Sequence, residues 1–241
     1  MKQNIKLSKK IRKHILNLSY KAKSSHIGSC MSIVDILAVL YNNIFNTKKK
    51  NNFILSKGHA CLALYSILYE KKIISKKHFL TYGEDNSILM NHVSHHVKGV
   101  NFSTGSLGHG LPVATGLALS LKLRNDKNKV FVLISDGELN EGTTWESLMF
   151  AAHHSLNNLV IIVDYNKFQS LTSVKKTLNL EPLKKKFDSF NCKTLNINGH
   201  NFLQIKKSLN FKSKSKPTVI IANTVKGKGV SFMENKIAWH Y

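Results

Sequence analysis

VFVLISDGELNEGTTWESLMFAAHHSLNNLVIIVDYNKFQS, residues 130–170, contains two short apolar runs, Val130–Ile134 and Leu159–Val163. Runs of this length, rich in valine and isoleucine, read as strands buried on both faces. Asp136 follows the end of the first and Asn166 the end of the second, 30 positions apart, about what one strand–helix–strand crossover needs. Both side-chain oxygens then reach the same edge of two neighbouring parallel strands. Such strands lie about 4.8 Å apart, and magnesium takes oxygens at about 2.1 Å in an octahedron. A carboxylate and an amide placed this way can share one divalent ion. Gly137 has no side chain to keep a phosphate from its backbone N–H, and open parallel sheets bind ligands outside the carboxyl ends of their strands. A metal carrying a diphosphate fits this edge. For the dipeptide alone the plainer alternative also stands, an Asp-Gly tight turn with Asn166 capping a loop.

Outward from this unit the pattern continues. Ile5–Lys21 carries Ile5, Ile11, Ile15, Leu16 and Leu18 at near-helical spacing. Ser32 reads as the N-cap of a helix through Val34, Ile36, Leu37 and Leu40. A polar loop over 48–52 precedes a strand at Phe53–Leu55, and Gly58 opens a helix to about Glu70. Residues 81–100 are irregular and rich in histidine, and a glycine-punctuated turn, 104–110, enters an apolar helix reaching Leu123. Beyond the central unit, Asn179–Phe187 reads as a short helix, Cys192–Ile197 and Thr218–Ala222 as strands, and Asn201 as the start of a helix. Alternating short apolar runs and helices predict an α/β fold, a three-layer parallel sheet with helices on both faces. No repeat or low-complexity linker divides residues 1–241, so one domain is expected.

The composition narrows the function. With 241 residues and 42% hydrophobic content the chain can bury a continuous core. Its apolar runs are far too short for a bilayer, and the N-terminus lacks the apolar core of a secretory signal. Cys30, Cys61 and Cys192 are odd in number, widely spaced and without metal-site spacing, which suits reduced thiols in a cytosol. The formal charge of +23 raises a nucleic-acid role. Against it, only Arg12 and Arg124 among the 36 basic residues are arginine, the residue suited to bidentate contacts. The lysines are scattered rather than clustered, as a composition bias would leave them, although the charge can still steer anionic substrates or an acidic partner.

The run SDGELNEG-x-x-WE from Ser135 to Glu146, with Asn166 beyond it, resembles the thiamine-diphosphate signature of transketolases. The resemblance extends through SSHIGSCMS (24–32), ILSKGHACLALY (54–65), STGSLGHGLPVATGLAL (103–119) and VKGKGVSFMENKIAWH (225–240). These five blocks stand in the family's order across nearly the whole chain. The match is to transketolases split into two polypeptides, with this chain as the N-terminal, diphosphate-binding subunit.

The resemblance implies a thiamine diphosphate-binding fold and a set of roles. Asp136 and Asn166 would ligate Mg2+ (or Ca2+ or Mn2+), with the main-chain carbonyl of Phe168 as a third ligand. Gly137 and Glu138 would belong to the diphosphate site. The backbone at Gly105 would contact the aminopyrimidine, and Leu107 would pack on the thiazolium, shielding a carbanion-like intermediate from water. Four of the 12 histidines, His26, His59, His92 and His240, fall in or beside matching stretches and would line the substrate channel, His59 and His240 also touching cofactor. The other eight read as surface or core residues. Glu141 and Glu146 would join a carboxylate network at a subunit interface; the plainer reading is a favourable charge at a helix N-terminus. Ser135 departs from the family, which usually has glycine there, so its hydroxymethyl group must point away from the cofactor or donate a hydrogen bond.

The glutamate that activates thiamine diphosphate, and much of the sugar-phosphate recognition, belong in this family to a pyrimidine-binding domain, and nothing after His240 reads as one. The expectation is one half of a cytoplasmic enzyme that moves a two-carbon ketol unit between sugars or sugar phosphates. It would be silent alone and active in a two-fold hetero-oligomer with a C-terminal subunit. The chain is also expected to stop short of the usual N-terminal subunit. Two alternatives remain: the α-subunit of a thiamine-dependent 2-oxoacid dehydrogenase, against which the SKGHA and TGSLGHG blocks speak, and a catalytically silent binding subunit. Neither a nucleic acid nor a membrane is an expected partner.

Overall fold

A computed structural model describes residues 1–45 and 50–240. In chain order the helices are α1 (Lys2–Ala22), α2 (Ile27–Ser32), α3 (Val34–Val39), α4 (Cys61–Glu70), α5 (Lys76–Phe79), α6 (Gly110–Leu123), α7 (Gly142–His153), α8 (Val174–Thr177), α9 (Leu183–Ser189) and α10 (Phe202–Leu209). The strands are β1 (Asn52–Leu55), β2 (Val130–Ser135), β3 (Leu159–Tyr165), β4 (Lys193–Asn198) and β5 (Thr218–Asn223). They form one sheet in the order β1-β2-β3-β5-β4, every pair parallel.

Every residue of β2 and β3 is buried, which is why their sequence is continuously apolar. Alternate side chains go to opposite layers. Phe131, Leu133, Val160 and Ile162 pack with α1, α3, α4 and α10, whereas Val132, Ile134, Ile161 and Val163 pack with α6, α7 and α9. Burying each such side chain contributes about 1.5–3 kcal/mol. A one-residue slip would exchange the two layers, so the apolar code locks the register. In that register Ser135 stands beside Asp164, and the chain leaves adjacent strand ends at Asp136 and Asn166.

The expected α1 appears with Leu7, Ile11, Ile15 and Leu18 buried on one face, and Asn201 caps α10 by accepting from the N–H groups of Leu203 and Gln204. The polar loop expected over 48–52 begins outside the described residues. Two expectations need correction. Ser32 does not cap a helix: it ends α2, and its hydroxyl points inward to Asp164 Oδ2 at 2.7 Å. The helix expected at 179–187 starts only at Leu183: Pro182 stands before it in an extended conformation, and a proline disfavours helical backbone in the residue preceding it. Among the described residues no helix is long and apolar enough to cross a membrane.

Candidate active site

The carboxyl ends of β2 and β3 open into a cavity of about 230 Å³. Asp136 and Asn166 are both buried on its floor. The N–H of Lys167 donates to Asp136 Oδ2 at 2.7 Å, and the N–H of Phe168 donates to Asn166 Oδ1 at 3.0 Å. Each of these oxygens can accept more than one bond, so capacity for a ligand remains.

Behind them lies a buried acid that the sequence reading did not single out. Asp164, near the end of β3, pairs with Lys57 Nζ at 2.5 Å and accepts from Asn166 Nδ2 at 3.1 Å and from the hydroxyls of Ser32 and Thr224. Burial alone would raise its pKa, but Lys57 and these hydrogen bonds hold it below the usual carboxylate range. Asp136 behaves in the opposite way. Burial and the negative charge of Asp164 push it up to about 7. An acid so poised is relieved by a divalent cation, which favours its ionised form.

Two buried lysines flank the acids. Lys57, following β1, also donates to Ser29 O at 3.2 Å. Lys226, following β5, donates to Gln169 O at 3.1 Å and lies 2.5 Å from His240 Nδ1. Burial and the neighbouring charge of Lys57 lower the Lys226 pKa to about 8.

Four histidines form the opposite wall. Ring centroids of His26 and His59 are 5.2 Å apart, those of His26 and His240 5.0 Å, and those of His26 and His92 6.1 Å. Burial, with the adjacent His92 and lysine charges, lowers His26 to about 4, and burial with Lys226 lowers His240 to about 3. Burial likewise drives His59 and His92 downward. At neutral pH all four rings are therefore uncharged, each presenting one N–H donor and one acceptor nitrogen. His26 holds a left-handed φ of 69°, rare for a residue with a Cβ, and its N–H donates to His240 O. Backbone strain of this kind concentrates at functional sites.

Gly105, Leu107, Gly137 and Phe168 complete the floor and rim. A Cβ on Gly105 would come no closer than 3.5 Å to another atom, and one on Gly137 no closer than 3.7 Å. Internal packing thus does not demand glycine at either place, and a side chain there would project into the cavity. The expected residues His26, His59, His92, His240, Gly105, Leu107, Asp136, Gly137, Asn166 and Phe168 all line it. Glu138 and Glu141 do not. The short turn Gly137–Asn140 carries Glu138 inward, where it is fully buried and accepts from Ser56 Oγ and from the N–H groups of Gly108 (3.1 Å) and Ser135 (2.8 Å). It clips three loops together beneath the cavity. Glu141 stands at the N-cap position of α7, its side chain making no capping bond, and packs against Gly108. Ser135 directs its hydroxyl to Glu138 Oε2 at 3.3 Å, which is how the site accommodates a side chain there.

Sequence reasoning missed Lys57, Asp164, Lys226 and Gln169. A charged residue inside the buried run LVIIVDY was the available signal for Asp164. The two lysines lay in recognised blocks, SKGHA and VKGKG, but were hidden among so many others. Gln169 carries an observation of its own: its Nε2 is buried with no hydrogen-bond partner among the described residues. A buried donor left unmade is costly, and a ligand acceptor in the cavity would satisfy it. A raised acid beside an amide oxygen, two buried cations, an open glycine floor and an unpaired amide together suit a metal–diphosphate group.

Comparison with known proteins agrees with this chemistry. The family model described as "Transketolase, thiamine diphosphate binding domain" matches residues 3–241. An apulose-4-phosphate transketolase subunit of Phocaeicola vulgatus is 36% identical, the alignment covering 97% of this chain and 86% of that one. Its namesake in Actinobacillus succinogenes is 39% identical over 98% of this chain and 89% of that one. The crystal structure of transketolase from Campylobacter jejuni superposes with a TM-score of 0.93 at 28% identity, covering all of this chain but 40% of that one.

Proposed function

The chain belongs to the transketolase family, and from that premise we propose that it is the N-terminal subunit of a two-polypeptide transketolase. One observation carries the reading. The chain nearly fills relatives that are themselves named as transketolase subunits, yet spans only 40% of a solved transketolase. As the subunit names of those relatives suggest, a C-terminal subunit with the pyrimidine-binding domain would supply the rest of the enzyme, assembled with this chain about a two-fold axis. The family match over residues 3–241 leaves no support for the dehydrogenase α-subunit.

When bound, thiamine diphosphate supplies the carbanion chemistry by which a two-carbon ketol unit leaves a ketose and joins an aldose. Asp136, Asn166 and the carbonyl of Phe168 would hold the divalent metal, most simply Mg2+. The Gly137 N–H, Lys57, Lys226 and the Gln169 amide would meet the diphosphate. The neutral histidines would both donate to and accept from sugar hydroxyls, and could take up or release a proton at their ring nitrogens. Leu107 would keep water from the reacting carbon. Glu138 would act beneath the site by fixing the loops at Ser56 and Gly108, and Glu141 would meet the partner. The reading places the enzyme in cytoplasmic sugar metabolism with phosphorylated substrates; it assigns no role to nucleic acid.

The test is to purify the chain with and without its C-terminal partner, add Mg2+ and thiamine diphosphate, and assay ketol transfer. Activity is expected only from the pair. Transfer by the chain alone would refute the split enzyme, and a complex that forms but neither binds cofactor nor transfers would identify a silent subunit.

A further inference from the structure

Away from the cavity a second charge cluster, built on the buried Asp35 with half-buried Arg12 and His200, joins three distant parts of the chain. Arg12 of α1 grips Asp35 of α3 with two hydrogen bonds, Nη1 to Oδ1 at 2.9 Å and Nη2 to Oδ2 at 2.8 Å. His200, in the loop between β4 and α10, places Nδ1 2.8 Å from Asp35 Oδ2. Its other ring nitrogen, Nε2, accepts the N–H of Val225 at 2.9 Å. That nitrogen is therefore unprotonated and Nδ1 carries the hydrogen, so the ring is a one-way link from the carboxylate to a backbone amide. Arg12 reaches further still, donating from Nε to the carbonyl of Lys228 at 2.8 Å.

The two backbone atoms held this way lie on either side of Lys226. The segment 224–229 belongs to no strand or helix; isolated backbone bonds tie it down, Gly227 N–H to Gly28 O at 3.0 Å and Asn235 N–H to Lys226 O at 2.9 Å, and the cluster adds bonds at Val225 and Lys228. Apolar side chains could join α1 to α3 at least as well as a buried ion cluster, whose desolvation offsets much of its attraction. They could not bond Val225 N–H and Lys228 C=O. Those directional bonds are what this cluster adds.

We propose that Asp35 and His200, with Arg12, are a positioning device that holds Lys226 against Gln169 and His240 in the cavity wall, an inference that rests on the reading of the cavity as a diphosphate site. None of the three lines that cavity. They act through the backbone, setting where the Lys226 ammonium lies against Gln169 O and His240.

The test uses the assembled two-subunit protein and variants H200A, H200Q, K226A and the double variant H200A/K226A. The first readout needs no cofactor: brief acetylation followed by peptide mapping. Wild-type Lys226 is expected to be protected, and H200A to label several-fold faster. H200Q should stay protected, because an amide offers both an acceptor for Val225 and a donor for Asp35. The second readout is calorimetric binding of thiamine diphosphate at saturating Mg2+. H200A should raise Kd about tenfold, the scale of losing one well-placed charged contact, with kcat at saturating cofactor nearly unchanged and H200Q restoring affinity. In the K226A background H200A should change Kd less than about twofold, since residues acting through one another are not additive. A folded H200A with wild-type labelling and affinity, or a loss that persists in full in the K226A background, would overturn the proposal. Should H200A not fold, R12K decides in the same two assays, because lysine keeps the charge beside Asp35 but lacks the Nε donor to Lys228. If the wild type binds no cofactor, the functional reading fails while the labelling result still judges the positioning device.

Discussion

Asp35 and Asp136 are equally inaccessible, 4% and 2% exposed, and titrate in opposite directions. Burial raises the pKa of both. At Asp35 the hydrogen bonds of His200 and the double grip of Arg12 overcome it and hold the carboxyl well below its ordinary range. At Asp136 the neighbouring Asp164 adds to it, and the group rises to about 7. One cluster is complete within the chain. In the other, Lys57 pairs with Asp164 and Lys226 faces Gln169 O and His240, which leaves Asp136 without a contacting cation among the described residues. The contrast teaches that burial alone does not mark a functional acid; the incompleteness of its partners does.

The largest expected effect breaks the complete cluster. D35N leaves the half-buried Arg12 without its counter-charge and should destabilise the fold by about 3 kcal/mol, the low end for breaking a buried pair, read by urea denaturation. D136N should do the reverse to stability. By removing repulsion with Asp164 it raises the thermal midpoint of the metal-free chain. It should also weaken metal-dependent cofactor binding in the assembled enzyme by more than about a hundredfold, a loss that even outer partners of metal ligands can approach. A destabilised D136N would erase the contrast.

The pH dependence follows from the same difference. Because the folded, metal-free chain binds the Asp136 proton more tightly than the unfolded chain, that group's contribution to stability is present below about pH 4 and fades as pH rises through about 7. Metal binding needs the ionised form, so Mn2+ affinity measured by calorimetry should fall about tenfold per unit below pH 7. Asp35 remains ionised throughout that interval and should add no slope. The smallest effect concerns the unpaired amide. Q169A removes a donor that costs the empty chain free energy, and should weaken thiamine diphosphate binding by about fivefold, near 1 kcal/mol, without lowering the thermal midpoint.

Much of this was legible in the chain itself. The apolar runs of β2 and β3 announced buried strands, and Asp136 and Asn166 stood one residue beyond their ends, where parallel-sheet register brings them together. Local chemistry also placed the start of α10 at Asn201 and the glycine turn before α6. Adjacency misled where direction mattered. Glu138 sits beside Gly137 in the motif, yet one turn of 3-10 helix sends its carboxylate under the floor rather than into the cavity. Ser32 has the chemistry of an N-cap, but α2 already runs through it and its hydroxyl serves Asp164.

By itself, the sequence determined the layers of the sheet, the edge that carries the site and the family, because these follow from periodicity and from short motifs in which cause and effect lie within a few residues. Tertiary structure alone decided which charges are satisfied. Lys57 meets Asp164, Arg12 meets Asp35 and Lys228, and Asp35 meets His200 across long stretches of chain. No local pattern encodes those meetings, and an ionisable group's behaviour is set by what surrounds it in space. The place of Asp136 at a strand end could be read from the sequence; that no cation contacts its carboxylate among the described residues could be read only from the fold.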